Sequence, residues 1–428
     1  MASPSIIVRS LVSDTEREQL FQWSDQEFSP SPSLNSARRF QQFVTTQPEY
    51  RPEIMRGIFL DGKQVGGCII FERTLRMGTA RLVTGCIGDV VTHPEHRKQG
   101  IATALMQDAI NYALSHKYSL LLLDGIPKFY HRYGYCDVFD LSIHDIDRSA
   151  VLAQPSSPYT VRPATIDDAP SLLALYDQHY GPYTGSFVRS LERQIHLLQH
   201  RSPHNPILLA VDSADCPQGY LFFWRGADRS QAHELAVNDW PAVLALLQYH
   251  AQLLDSTDAP AFLRYRLPVT APVLQWLVDY LEVPDTSPWR EEPVTGWAVL
   301  SHTYHHRYTG WMARPAHLPT LIQAVLPEWQ ARWQRSLLCW SGTINLTVGK
   351  EVYALRINSN ELQLLDQPGE DTHTVQLSPQ AFTQSLFGYR PVSRLVQSGE
   401  QPITNDLLTV LNVLFPTGHT WIPASDWF

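Results

Sequence analysis

A strand that runs into a helix through a turn of basic and small residues constrains this chain more than any other stretch: Val90-Val91-Thr92-His93-Pro94-Glu95-His96-Arg97-Lys98-Gln99-Gly100-Ile101-Ala102. Val90, Val91 and Thr92 are β-branched and read as a strand, Pro94 interrupts it, and Gly100 opens a helix. Ile101, Leu105, Ala109 and Ala113 recur at every fourth position, with Thr103, Gln107, Asp108 and Asn111 on the other side, the period of an amphipathic helix. The turn therefore sits at a helix N-terminus, where backbone N–H groups have no internal partner and the macrodipole is positive. Arg97 and Lys98 add charge, Gly100 lets an anion approach the backbone, and Ala102 keeps the next N–H nearly as open. The expected ligand of such a turn is a pyrophosphate.

Beyond the helix, Ser119-Leu120-Leu121-Leu122-Leu123 reads as a buried strand, followed by Lys128-Phe129-Tyr130-His131-Arg132-Tyr133-Gly134-Tyr135. Arg97-x-x-Gly100-x-Ala102, after a strand and before a helix, resembles the acyl-CoA signature of GCN5-related N-acetyltransferases. Phe129-Tyr130-x-x-x-Gly134-Tyr135 is similar to that family's second signature, in which the first tyrosine faces the thioester sulfur. The resemblance implies acetyl-CoA as co-substrate. Arg97, Lys98, Gly100, Ile101 and Ala102 would hold its pyrophosphate, and the open backbone of Val90, Val91 and Thr92 would pair with its pantetheine amides.

At 428 residues the chain is too long for one ordinary core and suggests two to four domains of roughly 100–200 residues. Its net charge of −9, from 33 basic and 42 acidic residues, argues against nucleic acid as a partner and suits a cationic amine. Cys68, Cys86, Cys136, Cys216 and Cys339 are scattered without a Cys-x-x-Cys pair, so neither zinc nor a disulfide framework is expected. His302, His305 and His306 have no regularly spaced ligand types nearby and read as a strand or linker, so no metal is expected. No leader or membrane-spanning run is read, and the expected setting is cytoplasmic, with no membrane partner.

In chain order, Ser5 to Ser10 reads as a strand, Asp14 starts a helix carrying Leu20, Phe21 and Trp23, and Ser29 to Ser36 reads as a loop. Gly57 to Leu60, Asp61-Gly62 and Gln64 to Phe71 form a hairpin signal, and Arg81 to Thr92 is the strand that feeds the turn. Asp89 is an acidic group in a strand where an apolar one would be ordinary. Tyr159 to Asp168 and the helix Ala169 to Tyr180 then repeat the opening around Ile7-Val8-Arg9-Ser10 and Asp14, an internal duplication that continues with strands Pro206 to Val211 and Gly219 to Trp224. Where the first copy has its basic turn, the second has Glu234-Leu235-Ala236-Val237-Asn238-Asp239-Trp240-Pro241 before a helix Ala242 to Leu253. Two acids and no glycine would repel a pyrophosphate there.

From Ser301 the pattern changes to a strand Gly310 to Arg314, a helix Pro315 to Ala324 and a hairpin Gly342 to Val348 with Glu351 to Ile357. Further strands at Glu361 to Asp366 and Val375 to Leu377 follow, then a helix Pro379 to Phe387 capped by Ser378. This order resembles a sterol-carrier-protein-like domain. The expected fold class is α+β: a catalytic GNAT domain over 1–150, a degenerate GNAT domain over 151–300, each a mixed sheet flanked by helices, and a sterol-carrier-like α/β domain over 301–428.

That arrangement resembles the enhanced-intracellular-survival (Eis) family of N-acetyltransferases. The resemblance implies transfer of an acetyl group to a primary amine of a small cationic acceptor, aminoglycoside- or polyamine-like or a Lys side chain, by a homo-oligomer, trimer or hexamer. It makes Tyr130 the general acid, since a phenol of pKa about 10 stays protonated at neutral pH. It makes the terminal carboxylate, here that of Phe428, the base, with Asp426 as a second candidate or an anchor for a cationic substrate. Glu27, Trp23 and Phe28 border the family's acceptor pocket but read more simply as solvated or packed. The alternative class is a non-catalytic acyl-CoA- or lipid-binding module that uses the C-terminal domain.

Overall fold

Strand β1 (Ile6–Ser10) leads into helix α1 (Asp14–Phe28), and one ion pair ties them together: the Arg9 guanidinium sits 2.7 Å from the Glu16 carboxylate. Glu16 also closes a capping box with Ser13, and its hydrogen bond from Arg9 holds its carboxyl down at about 2. The computed structural model describes residues 5–126, 128–200, 206–223, 231–254, 259–281, 301–306, 310–367, 373–398, 403–418 and 420–428. They fall into two units, one of Met1–Phe139, Thr309–Thr420 and Phe428, the other of Asp140–Tyr308 and Trp421–Trp427.

In the first unit, helix α2 (Leu34–Thr45) starts earlier than the sequence suggests, which shortens the loop expected over Ser29 to Ser36. Ser33 and Ser36 form a capping box, and the buried Asp25 carboxylate accepts from the Ser33 amide and the Ser36 hydroxyl, both at 2.7 Å. Strands β2 (Met55–Leu60) and β3 (Lys63–Met77) meet at Asp61 and Gly62, whose φ angles of 47° and 83° match the positive pair that a tight hairpin demands. Strand β4 (Ala80–Thr92) follows, then α3 (Ile101–Ser115) and β5 (Leu120–Asp124). Because β4 and β5 are parallel, the chain must cross over between them, and α3 is that crossover. The strand Trp311–Pro315 and β6 (Cys136–Asp137) complete a seven-stranded sheet of order β1-β2-β3-β4-β5-(Trp311–Pro315)-β6. One face of it packs Ile70, Ile87, Leu121, Leu123 and Met312 against Met106, Ala109 and Ala113 of α3.

The helix expected over Pro315 to Ala324 is instead Leu318–Arg335, because Pro315 ends a strand opposite Leu120 and the apolar spacing continues through Val325, Trp329 and Trp333. A five-stranded sheet joins Leu362–Leu365, Glu351–Ile357, Gly342–Val348, His373–Leu377 and Gln397–Ser398 in that order. Ser378 caps the helix Pro379–Leu386 as its sequence requires.

The second unit begins with strand Leu141–Asp147 and helix Arg148–Ala153, and then shows a strand and a capped helix like β1 and α1. Strand Thr160–Pro163 precedes helix Ala169–Tyr180, and Arg162 lies 2.8 Å from Asp168, which closes a capping box with Thr165 and is likewise held at about 2. Its strands form two four-stranded sheets. One orders Glu234–Val237, Pro217–Phe222, Leu208–Val211 and Thr160–Pro163; the other orders Gln231–Ala232, Phe262–Arg266, Leu141–Asp147 and Ser301–His306. Trp224, the expected end of one strand, and the side chain of His302 lie outside the described residues. His305 pairs with Asp140 at 3.3 Å.

Candidate active site

The turn before α3 has the conformation its composition calls for. Lys98 (φ 62°) and Gly100 (φ 81°) are both left-handed, and a Cβ on Gly100 would meet nothing within 4 Å. Gly100 is the N-cap and offers no side chain to the first N–H groups of the helix, so these donors face outward. Arg97, Lys98, Gln99 and Gly100 are exposed, Ala102 is half-buried, and Ile101 anchors the helix among Ile58, Val65 and Leu105. Arg97 donates to the Thr92 carbonyl at 3.3 Å and to the Glu27 carboxylate at 2.6 Å. Glu27 thus meets the basic turn, a contact between residues 70 apart in sequence that no local pattern reveals.

Immediately upstream, ligand atoms of His93, Glu95 and His96 lie within 4.8 Å of one another on a single short turn. They are the one group of this kind among the described residues, and the sequence reading did not pick them out.

Val90, Val91 and Thr92 lie at the end of β4 beyond a β-bulge. Val91 faces Gly67 and Gly88 faces Ile69, so β4 carries an extra residue there, and Asp89 takes φ 53°. Pairing of β4 with β5 stops at Cys86 and Leu122. From Ile87 to Thr92, therefore, β4 has β3 on one side and no strand on the other among the described residues. Backbone N–H and C=O groups directed to that side are available to a ligand that pairs like a strand. The Asp89 carboxylate accepts a hydrogen bond from Ser24 of α1.

Tyr130 begins a short helical turn, Tyr130–Tyr133, and its ring is 8% exposed. It packs edge-on to Phe129 and Tyr135, with centroids 4.9 and 6.2 Å away. Gly125 makes this possible, since a Cβ there would come within 2.2 Å of the Tyr130 ring. Burial pushes the phenol up to about 12, and its hydroxyl has no hydrogen-bond partner among the described residues.

Phe428 packs its ring on Trp311 and Phe71, with centroids 5.3 and 6.0 Å away. Its carbonyl carbon lies 3.6 Å from the position a Cβ would take on Gly88, so the carboxyl group lies over the bulged part of β4. Asp426 has a different setting, in the second unit. It is 6% exposed and takes hydrogen bonds from Arg189 at 2.7 and 2.9 Å and from Tyr176. Its oxygens are committed to that buried network, which corrects the reading of Asp426 as a base or substrate anchor.

In the second unit, helix Trp240–Leu253 begins differently. Glu234 is buried within a strand, where it accepts from Tyr220 and from the Ser425 amide, and so is not part of the turn. Asp239 is the N-cap of helix Trp240–Leu253 and accepts from the Ala242 amide at 2.9 Å, with Pro241 in the first turn.

Residues 9–137 match the family model described as the acetyltransferase (GNAT) domain. No curated protein matches the chain. Among solved structures, a conserved protein of unknown function from Enterococcus faecalis V583, described as a probable N-acyltransferase, is similar over 100% of both chains, with 15% identity and a TM-score of 0.71. A GCN5-related N-acetyltransferase from Anabaena variabilis ATCC 29413 is similar over 99% of this chain and 100% of its own, at 16% identity and TM-score 0.71. Eis1 from Mycobacterium abscessus is similar over 99% of this chain and 100% of its own, at 14% identity and TM-score 0.63. The α+β fold of these multi-domain proteins is therefore the fold of this chain along its whole length.

Proposed function

We propose that the chain, whose residues 9–137 match the acetyltransferase (GNAT) domain model, moves an acetyl group from acetyl-CoA to a primary amine of a small cationic acceptor, aminoglycoside- or polyamine-like or a Lys side chain. The observation that carries this reading is the combination of an uncapped helix N-terminus flanked by Arg97 and Lys98 with a strand opening in β4 whose residues Ile87 and Val90 share an apolar cluster with Tyr130. The amides at Gly100, Ile101 and Ala102 take the pyrophosphate, with Arg97 and Lys98 adding charge. Val90, Val91 and Thr92 take the pantetheine. Among the described residues no helix is long and apolar enough to cross a membrane.

Acyl transfer requires a neutral amine, a stabilised oxyanion and a protonated leaving thiolate. Tyr130 supplies the last proton. Its raised proton affinity keeps it neutral until the thiolate develops, and the same low-dielectric setting raises the proton affinity of that thiolate. The Phe428 carboxylate, over Gly88, serves as a base. The second copy acts as a scaffold without cofactor, the C-terminal region follows the sterol-carrier-like plan, and the assembly is a trimer or hexamer.

Thiol release from acetyl-CoA with polyamines and aminoglycosides tests the reading. Tyr130→Phe should lower kcat by about a hundredfold, the usual scale for a lost general acid, at unchanged acetyl-CoA affinity. Residues added after Phe428 should slow turnover in the same selective way. Normal kcat in either variant removes that group from the mechanism.

A further inference from the structure

Strand β5 ends on a carboxylate that the reaction as described leaves unused. Asp124 pairs directly with Trp311 across the antiparallel ladder, and directly paired residues project from the same face of a sheet. Trp311 carries the Phe428 ring on that face, and the Phe428 carbonyl carbon lies against Gly88. The neighbouring pair, Leu123 and Met312, belongs to the opposite face with α3 and Tyr130. Asp124 and Tyr130 thus approach the end of the sheet from opposite faces, and each lies against Gly125 or its neighbours: the Tyr130 ring against Gly125, the Asp124 carboxylate against Gly310. A Cβ on Gly310 would come within 2.3 Å of Asp124 Oδ1, and the Gly125 amide donates to the Gly310 carbonyl at 3.0 Å, which fixes this corner.

Resting on the acetyl-transfer reading above, we propose that the Asp124 carboxylate binds the acceptor's ammonium and takes its first proton, the amine arriving on the face of the sheet that carries Trp311 and Phe428. Amide formation from an ammonium releases two protons, one before attack and one after. Asp124 receives the first. The freed nitrogen lone pair then forms the C–N bond, the C–S bond breaks with its electron pair going to sulfur, and sulfur takes the Tyr130 proton. The nitrogen, now positively charged and far more acidic than the parent ammonium, gives its second proton to the Phe428 carboxylate. That proton returns to the Tyr130 phenolate, and the Asp124 proton leaves to water, so the cycle closes with one proton released.

This division suits the two carboxyls. Crowding by the surrounding protein raises Asp124 to about 6 although part of its surface meets solvent, with the Gly125 amide pulling weakly the other way. That is roughly a hundredfold greater proton affinity than an ordinary aspartate has. Its charge reaches the Tyr130 phenol from the other face of the sheet and raises it further, and among the described residues only burial and the Gly125 amide act on Asp124 itself.

The test uses the full chain with acetyl-CoA and spermidine as the probe amine. In the wild type, kcat/KM falls as pH drops through about 6, where Asp124 becomes protonated. Asp124→Asn should lower kcat/KM at neutral pH at least tenfold and abolish that bend, with acetyl-CoA affinity unchanged. Asp124→Glu should keep a bend at a shifted pH, and this variant decides the matter if the asparagine form does not fold. An active wild type whose rate and bend survive in Asp124→Asn, or whose bend stays unmoved in Asp124→Glu, overturns this assignment alone. A wild type that releases no thiol with any amine overturns the transfer reading with it.

Discussion

Two helices of this chain, one in each unit, each follow a strand, and they begin in opposite ways. At α3 the N-cap is Gly100, with an open approach and two cations beside it; at Trp240–Leu253 the N-cap is Asp239, whose own carboxylate accepts from the helix. The same end of the same kind of helix leaves its donors open in one unit and satisfies them with its own side chain in the other. What decides between them is whether the chain supplies its own negative charge. The two units share one feature, a strand arginine that pairs with a capping-box acid, Arg9 with Glu16 and Arg162 with Asp168.

The sharpest way to break the contrast is to give the start of α3 a carboxylate. Gly100→Asp should weaken acetyl-CoA binding by about a hundredfold, measured by calorimetry, since it sets a negative charge where the pyrophosphate would sit. The side chain has room, and Asp is among the residues that tolerate a left-handed backbone. Taking the carboxylate away from the other helix, Asp239→Ala, removes a cap worth ~1 kcal/mol; it should lower the denaturation midpoint without creating a coenzyme site, because Arg97 and Lys98 have no counterparts in 234–241. The smallest effect belongs to Glu27→Gln. Glu27 competes for Arg97, but the pair is exposed on both sides, so its loss should tighten coenzyme binding by only about threefold, and less at high salt.

Much of the N-terminal fold is legible residue by residue. The Asp61-Gly62 hairpin, the every-fourth-residue stripe of α3 and, farther along, the Ser378 cap are local patterns, because each is set by backbone preferences within a few residues. Helix boundaries fared less well where a cap was ambiguous, as at Leu34 and Leu318. The site shows the same divide. The turn at Arg97 to Ala102 and the aromatic run at Tyr130 stand out as motifs, whereas Glu27 on Arg97, Asp89 on Ser24, and Asp124 opposite Trp311 join residues tens to hundreds of positions apart.

By itself the sequence determined many of the strands and helices, that a strand followed by an acid-capped helix occurs twice, and that only the first of these stretches is followed by a basic, glycine-containing turn. Those properties depend on side-chain periodicity and on which residues can cap or adopt a positive φ, all of them short-range. Only the tertiary structure decided where carboxylates end up: Asp426 inside a buried network with Arg189, Phe428 over Gly88, Asp124 on the face shared with Trp311. The fate of a charge depends on the dielectric and partners brought to it by packing, and those arrive from parts of the chain that no local pattern connects.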